Sequence, residues 1–401
     1  VADSVVTATP QAERIVWLDV LRGAALFGIA QINFPSFASG ALPITALYPA
    51  DASPMLQTFA AMLLFFVSAK FYPIFAFLFG YGHWLQRERL NASGNHAEAV
   101  LQRRYLVLLG LGMLHGAGLF FGDILTIYAI AGLVLLLQHR YGRRDTRSQV
   151  LNWAGISAAL AIVSLLFQDT APADVHLSWV QLLGHEAEAL HTGDFASVLG
   201  DRALLYGVMQ LQDLASFLPQ VLMFMSAGLW AGEARVLQQA GQHLALFRRC
   251  IAIGVLVGVP VNLALVIAES EIVLQVAAPL ALAETLNDLA FFLSLAYLGL
   301  FGIYVARARV PATWLLFFAA MGRLSLTNYL TQSLVMMLLW YRFSDHLTAF
   351  GVVPAMALCG FVTCVAQGFG SLLWLKHFQQ GPAEALWRRL TYTSVAAGVI
   401  R

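Results

Sequence analysis

The chain has 401 residues, 59% of them apolar and 11% charged, with a net charge of +1 and a mean hydropathy of +0.73. This composition excludes a water-soluble globular domain, and a charge near zero gives no basis for nucleic-acid binding. What remains is an all-α fold: a polytopic membrane helix bundle of about ten transmembrane helices forming one integral membrane domain over 1–401.

Hydropathy places the spans at roughly 17–37, 59–84, 105–121, 124–138, 150–167, 207–231, 250–268, 284–305, 314–340 and 351–375. The polar segment 1–16 lacks signal-peptide architecture, so the first span is expected to be an uncleaved anchor behind a cytoplasmic segment. Under that topology eighteen Lys and Arg residues flank the spans on the cytoplasmic side, and two, Arg202 and Arg342, lie outside. The asymmetry predicts that both termini are cytoplasmic. Three basic residues, Arg22, Lys70 and Arg323, fall within spans and need partners.

In the first span Asp19 and Arg22 stand three residues apart on one helix face and can pair. That face continues through Leu26 and Ala30 to Asn33. The second span puts Lys70 near mid-membrane, just before Phe71-Tyr72-Pro73, where Pro73 removes a helical donor and predicts a break. Lys70 reads equally as a counter-ion to Asp123, Asp213 or Asp288 and as a holder of an anionic substrate group. The third and fourth spans form a hairpin turning at Gly122-Asp123, with Arg103 and Arg104 at its near end. Gly112, Gly116, Gly118 and Gly122 give the first arm a small-residue face for close helix packing. His115 lies on or near that face and is taken as the only intramembrane histidine; Asp123 suits either a helix cap or chemistry.

The segment 168–206 is expected to be periplasmic, with 176–191 as an interfacial helix whose His185 and His191 form a solvated pair rather than a metal site. The sixth span starts through Gln210, Gln212 and Asp213, and the eighth through Glu284, Asn287 and Asp288 on one face. His115, Asp123, Asp213 and Asp288 then share the outer half of the membrane, which predicts a polar cavity opening outward. In the ninth span Arg323, Thr327 and Thr331 line one face, and Ser325, Asn328 and Gln332 the next, readable as a site or as interhelical packing. Gly381-Pro382 starts an amphipathic basic helix in the tail 376–401, expected on the inner membrane face. Cys250, Cys359 and Cys364 sit in apolar segments without metal-ligand spacing and read as core residues, so no metal is expected.

Five ordered stretches resemble the bacterial YeiB family of polytopic membrane proteins of unknown function. They are Leu18-Asp19 with Leu21-Arg22-Gly23; Lys70-Phe71-Tyr72 through Leu78-Phe79-Gly80; Gly122-Asp123-Ile124-Leu125 with Tyr128-Ala129; Gly322-Arg323 with Leu326-Thr327-Asn328-Tyr329-Leu330; and Gly381-Pro382 leading to Trp387-Arg388. Asp19, Arg22 and Gly23 also look like the opening of the wider transmembrane acyltransferase superfamily, which includes the lysosomal heparan glucosaminide acetyltransferase. In that enzyme a histidine in the outward loop after the first span is implicated in transfer; the loop here, 38–58, has none. The resemblance implies a multi-pass protein of the bacterial inner membrane that takes acyl-CoA as donor substrate and holds no permanently bound cofactor.

Two functions from different classes follow. As an acyltransferase, the protein moves an acyl group from cytoplasmic acyl-CoA to a hydroxyl or amine of a cell-envelope glycan, lipid or small molecule. His115, oriented by Asp123 or another acid, is the candidate general base. Arg22 and Arg323 are candidates for the CoA phosphates, with Asp19, Lys70, Asp213, Asp288 and Asn328 completing the substrate-binding set. As a transporter or lipid-binding permease, Lys70 holds substrate charge and Asp123, Asp213 and Asp288 relay protons, although no inverted repeat is visible. Membrane lipids are partners in both cases, and a homodimer is compatible with either.

Overall fold

A computed structural model describes residues 16–39, 53–93, 97–141, 145–167, 195–273, 280–308, 310–349 and 352–392. Among these residues the secondary structure is helical and no strand occurs. The helices are α1 (Val16–Ser39), α2 (Pro54–Phe66), α3 (Phe71–Ala92), α4 (Ala97–Gly118), α5 (Leu125–Arg140), α6 (Thr146–Phe167), α7 (Phe195–Ser216), α8 (Leu218–Glu233), α9 (Leu244–Ile253), α10 (Val259–Val273), α11 (Leu280–Leu289), α12 (Phe292–Arg307), α13 (Leu315–Arg323), α14 (Ser325–Ala349), α15 (Val352–His377) and α16 (Pro382–Tyr392). Among the described residues, four helical stretches are long and apolar enough to cross a membrane: 54–92, 240–269, 282–307 and 352–377. The bent pair α7–α8 makes a fifth if it is counted as one span. The stretch 176–191, with His185 and His191, lies outside the described residues.

α1 runs through the centre, packed against α3, α13, α14 and α15. Its crossing with α13 is a backbone contact. A Cβ on Gly23 would lie 1.9 Å from the carbonyl oxygen of Phe318, and one on Gly322 would lie 1.9 Å from that of Asp19. Each glycine is followed or preceded by an arginine, so the close crossing also brings Arg22 and Arg323 to one mouth.

Four of the stretches read as single spans are interrupted. The second breaks before Pro73 rather than at it. The chain turns over Val67–Lys70, with Ala69 at φ 60°, and Pro73 then sits in the first turn of α3, where a missing N–H removes no helical bond. The sixth bends by 61° at Phe217, just ahead of Pro219 in the first turn of α8. The eighth breaks at Ala290–Phe291 and the ninth at Leu324. Backbone groups freed inside a bundle need partners, and amide or charged side chains supply them. Lys70 Nζ donates to the Leu64 carbonyl at 2.6 Å, Asn262 Nδ2 to Ala290 at 3.0 Å, and Gln220 Nε2 to Asp288 at 2.9 Å. At the ninth, Asn328 Nδ2 donates to Met321 at 3.2 Å, while the Glu384 carboxylate accepts from the N–H groups of Leu326 and Thr327 at 2.8 and 3.2 Å.

The hairpin differs from expectation at its near end. α4 starts at Ala97, so Arg103 and Arg104 lie within it instead of flanking it, and they face α16. Arg103 Nε donates to the Leu390 carbonyl at 2.8 Å, the Arg104 guanidinium lies 3.5 Å over the Trp387 ring, and Trp387 Nε1 donates to the Arg104 carbonyl at 2.9 Å. The basic tail helix is therefore docked on protein. Arg202, expected on the outer surface, is 1% exposed. It reaches the Gly118 carbonyl at 3.4 Å and Met337 Sδ at 3.3 Å, because α7 carries it inward against the end of α4.

Candidate functional site

His115 is held at the last turn of α4, where its carbonyl accepts the N–H groups of both Leu119 and Phe120 at 2.8 and 3.0 Å. The chain then turns through Gly122, which brings Asp123 back alongside His115 just ahead of α5. Nδ1 of His115 lies 2.7 Å from Asp123 Oδ1, with both side chains out of contact with solvent. The other carboxylate oxygen, Oδ2, accepts from the Thr126 N–H at 2.8 Å. Asp123, one residue ahead of the N-cap Ile124, thus bonds both the first turn of α5 and His115. Gly112 permits this approach, since a Cβ there would lie 2.9 Å from Asp123 Oδ2 and 2.6 Å from Thr126 Oγ1. Gly116 receives the Tyr206 ring, whereas Gly118 has nothing within 4 Å of a Cβ and belongs to no packed face.

The second nitrogen, Nε2, lies 2.8 Å from Ser333 Oγ on α14. Ser333 is 0% exposed and completes a Ser–His–Asp chain that joins residues 115, 123 and 333. Sequence reading missed Ser333, because it is one of several hydrogen-bonding side chains along 325–333 and nothing local separates it from helix-packing glue.

Two cavities lie back to back beside this chain. One, of about 270 Å³, is basic and lined by Arg22, Arg104, Arg323 and His83, with Glu384 and Trp387 from α16. The other, of about 210 Å³, is acidic and lined by Asp123 and Asp213 with Asn33 and Tyr72. Ile29, Ile124 and Tyr329 line both and form their common wall. The Tyr329 ring packs on the His115 ring, centroids 4.9 Å apart, and its hydroxyl faces the Ile124 N–H at 3.4 Å.

Of the residues singled out from sequence, Arg22 and Arg323 meet in the basic cavity and Asp123 and Asp213 in the acidic one. Asp19 pairs with Arg22 at 2.8 Å, as their spacing predicts, and Arg323 donates to the Gln379 carbonyl at 2.9 Å. Lys70, Asp288 and Asn328 line neither cavity. Lys70 is fully buried on the Leu64 carbonyl, and among the described residues no ion pair links it to Asp123, Asp213 or Asp288. Asp288 is exposed, and Asn328 joins α14 to Ser371 of α15 at 3.1 Å. Thr331, Gln332 and Gln367 extend that ladder of interhelical bonds, the packing alternative for the ninth span. His115 is not the only buried histidine: His83 on α3, within the stretch read as the second span, is 3% exposed, bonds Tyr105 Oη through Nδ1 at 2.7 Å, and lines the basic cavity. No group of three or more possible metal ligands occurs among the described residues.

Comparison with known proteins points one way. The family described as "Protein of unknown function (DUF418)" matches residues 231–394. The uncharacterized protein YxaH of Bacillus subtilis is 30% identical over 95% of both chains. The uncharacterized protein YeiB of Escherichia coli is 29% identical over 96% of this chain and 98% of its own. No solved structure matches the chain.

Proposed function

We propose, from the premise that this chain belongs to the YeiB-like family of proteins of unknown function (DUF418), that it is a membrane acyltransferase working across the wall between its two cavities. The single observation that carries this reading is the pair of cavities of opposite character sharing Ile29, Ile124 and Tyr329, with the His115–Asp123 pair behind the wall. A two-substrate transfer between compartments needs that layout: a donor site, an acceptor site and a proton-handling group between them.

In this reading the protein is a ten-span protein of the bacterial inner membrane with both termini cytoplasmic, a topology supported by the eighteen-to-two distribution of flanking basic residues. The basic cavity then opens inward, where Arg22, Arg104 and Arg323 attract the phosphates of acyl-CoA. At about 270 Å³ the cavity is smaller than the ~300–1,000 Å³ of typical small-molecule pockets, which suits the acyl-pantetheine arm rather than the whole donor. The acidic cavity opens outward and takes the hydroxyl or amine acceptor, with Asp213 and Asp123 at its lining. Asp123 holds the imidazole in one orientation, and His115 accepts the proton released on acyl transfer.

The test is binding of radiolabelled acetyl-CoA and longer acyl-CoAs to detergent-purified protein. Wild type is expected to bind, and Arg22→Ala and Arg323→Ala to weaken binding at least about tenfold each, since each removes a charge-assisted contact worth roughly 1.5–3 kcal/mol. Equal binding by wild type and both variants contradicts the donor assignment. No binding by wild type, together with uptake of a solute, favours transport.

A further inference from the structure

The proposed acyl transfer leaves one geometric fact unused. His115 lines neither cavity, and its Nε2 is occupied by Ser333. A carboxylate at Asp123 can only accept, which selects the tautomer with the proton on Nδ1; in that tautomer Nε2 presents a lone pair. The Ser333 hydroxyl then donates to Nε2 at 2.8 Å in preference to the Tyr329 carbonyl, whose contact at 3.4 Å is longer than a good O–H···O bond. Asp123 is locked in turn by Thr126. A hydroxyl aimed at the basic nitrogen of an imidazole whose other nitrogen is fixed by a buried carboxylate is the arrangement that activates a serine nucleophile.

We infer that Ser333 is the catalytic nucleophile and carries the acyl group between the two cavities as an ester. This rests on the acyltransferase reading above. In the first half-reaction Ser333 Oγ attacks the acyl carbonyl carbon of acyl-CoA. The Oγ–C bond forms, the C–S bond breaks, and the serine proton passes to His115 Nε2 and on to the departing thiolate, leaving acyl-Ser333 and CoA thiol. In the second, the acceptor oxygen or nitrogen attacks the ester carbon and gives its proton to Nε2. The Oγ–C bond breaks and Ser333 regains the proton, so the acyl group has moved from sulfur to acceptor without any redox change. Tyr329 stands one helical turn before Ser333, lines both cavities and covers His115 with its ring. Ser333 itself is fully buried and lines neither cavity, so the relay requires the Tyr329 ring to move aside for each substrate.

The test uses the full chain in liposomes with two probes, a fluorophosphonate and acetyl-CoA. Wild type is expected to label at Ser333 with the fluorophosphonate, Tyr329→Ala to label faster, and His115→Gln and Asp123→Asn to label at least about 10²-fold more slowly while eluting as wild type on gel filtration. Acid quenching after acetyl-CoA without acceptor is expected to leave one acetyl group on the Ser333 peptide. Ser333→Ala should lose it together with at least about 10³-fold of transfer. Ser333→Cys should retain it as a hydroxylamine-labile thioester, which separates chemistry from misfolding. Transfer that persists in Ser333→Ala overturns the ester relay and leaves the acyltransferase reading standing. A wild type that forms neither acetyl-protein nor acylated acceptor removes both.

Discussion

At the scale of single residues, the polar side chains within the apolar stretches divide by what they hold. Lys70 and Asn328 bond backbone carbonyls freed at helix breaks, whereas Arg22, Arg323, Asp123 and Asp213 reach cavities. Lys70→Met should therefore destabilise the protein by about 1–3 kcal/mol, the cost of orphaning the buried Leu64 carbonyl, with acyl-CoA binding unchanged; denaturant unfolding in detergent measures the first and ligand titration the second. A Lys70→Met protein of normal stability that fails to bind would return Lys70 to the substrate. Asp19 and Arg22, bonded at 2.8 Å, should show a coupling energy of about 0.5–3 kcal/mol in a double-mutant cycle, and strict additivity would show that the pair contributes nothing. His115→Gln keeps a similar volume and the hydrogen-bonding capacity but cannot take a proton, so assembly should survive while transfer falls by roughly 10²-fold or more. Equal transfer would remove His115 from the chemistry.

At the scale of helices, glycines set how closely α1 and α13 cross. Gly23→Ala drives a Cβ to within 1.9 Å of the Phe318 carbonyl and should cost about 1–3 kcal/mol, whereas Gly118→Ala meets nothing within 4 Å and should be neutral or slightly stabilising. Comparable losses at both positions in the same unfolding assay would show that helix propensity, not the crossing, decides. The contrast also marks what a sequence can and cannot reveal. The helical, apolar character of the chain was legible, because hydropathy over a bilayer-length window is a local property. The Asp19–Arg22 pair was legible because helical spacing is local too. The breaks at Leu324 and Ala290–Phe291 were not, because their stabilising partners, Glu384 and Asn262, lie far away in the chain. The His115–Asp123 contact followed from proximity to one turn, while Ser333, 218 residues from His115, could be joined to it only by the fold.

At the scale of the whole molecule, the two cavities define a direction. Under the proposed topology Arg147 and Arg309 lie on the side of the donor cavity. Reporter fusions after these residues should read cytoplasmic, and one near Asp194 external; the inverse pattern would turn the donor cavity outward. α16 covers part of that cavity through Glu384 and Trp387, so under the proposed function the tail helix would form part of the donor site. The most direct measurement of the central claim is vectorial transfer in sealed vesicles of defined orientation, with labelled acyl-CoA supplied only on the Arg147 face and a panel of cell-envelope acceptors only on the opposite face. The two-cavity account predicts labelled acceptor on the far side, lost in His115→Gln. Transfer that requires donor and acceptor on the same side, or acceptor that stays unlabelled across the panel in vesicles whose protein binds acyl-CoA, would contradict it.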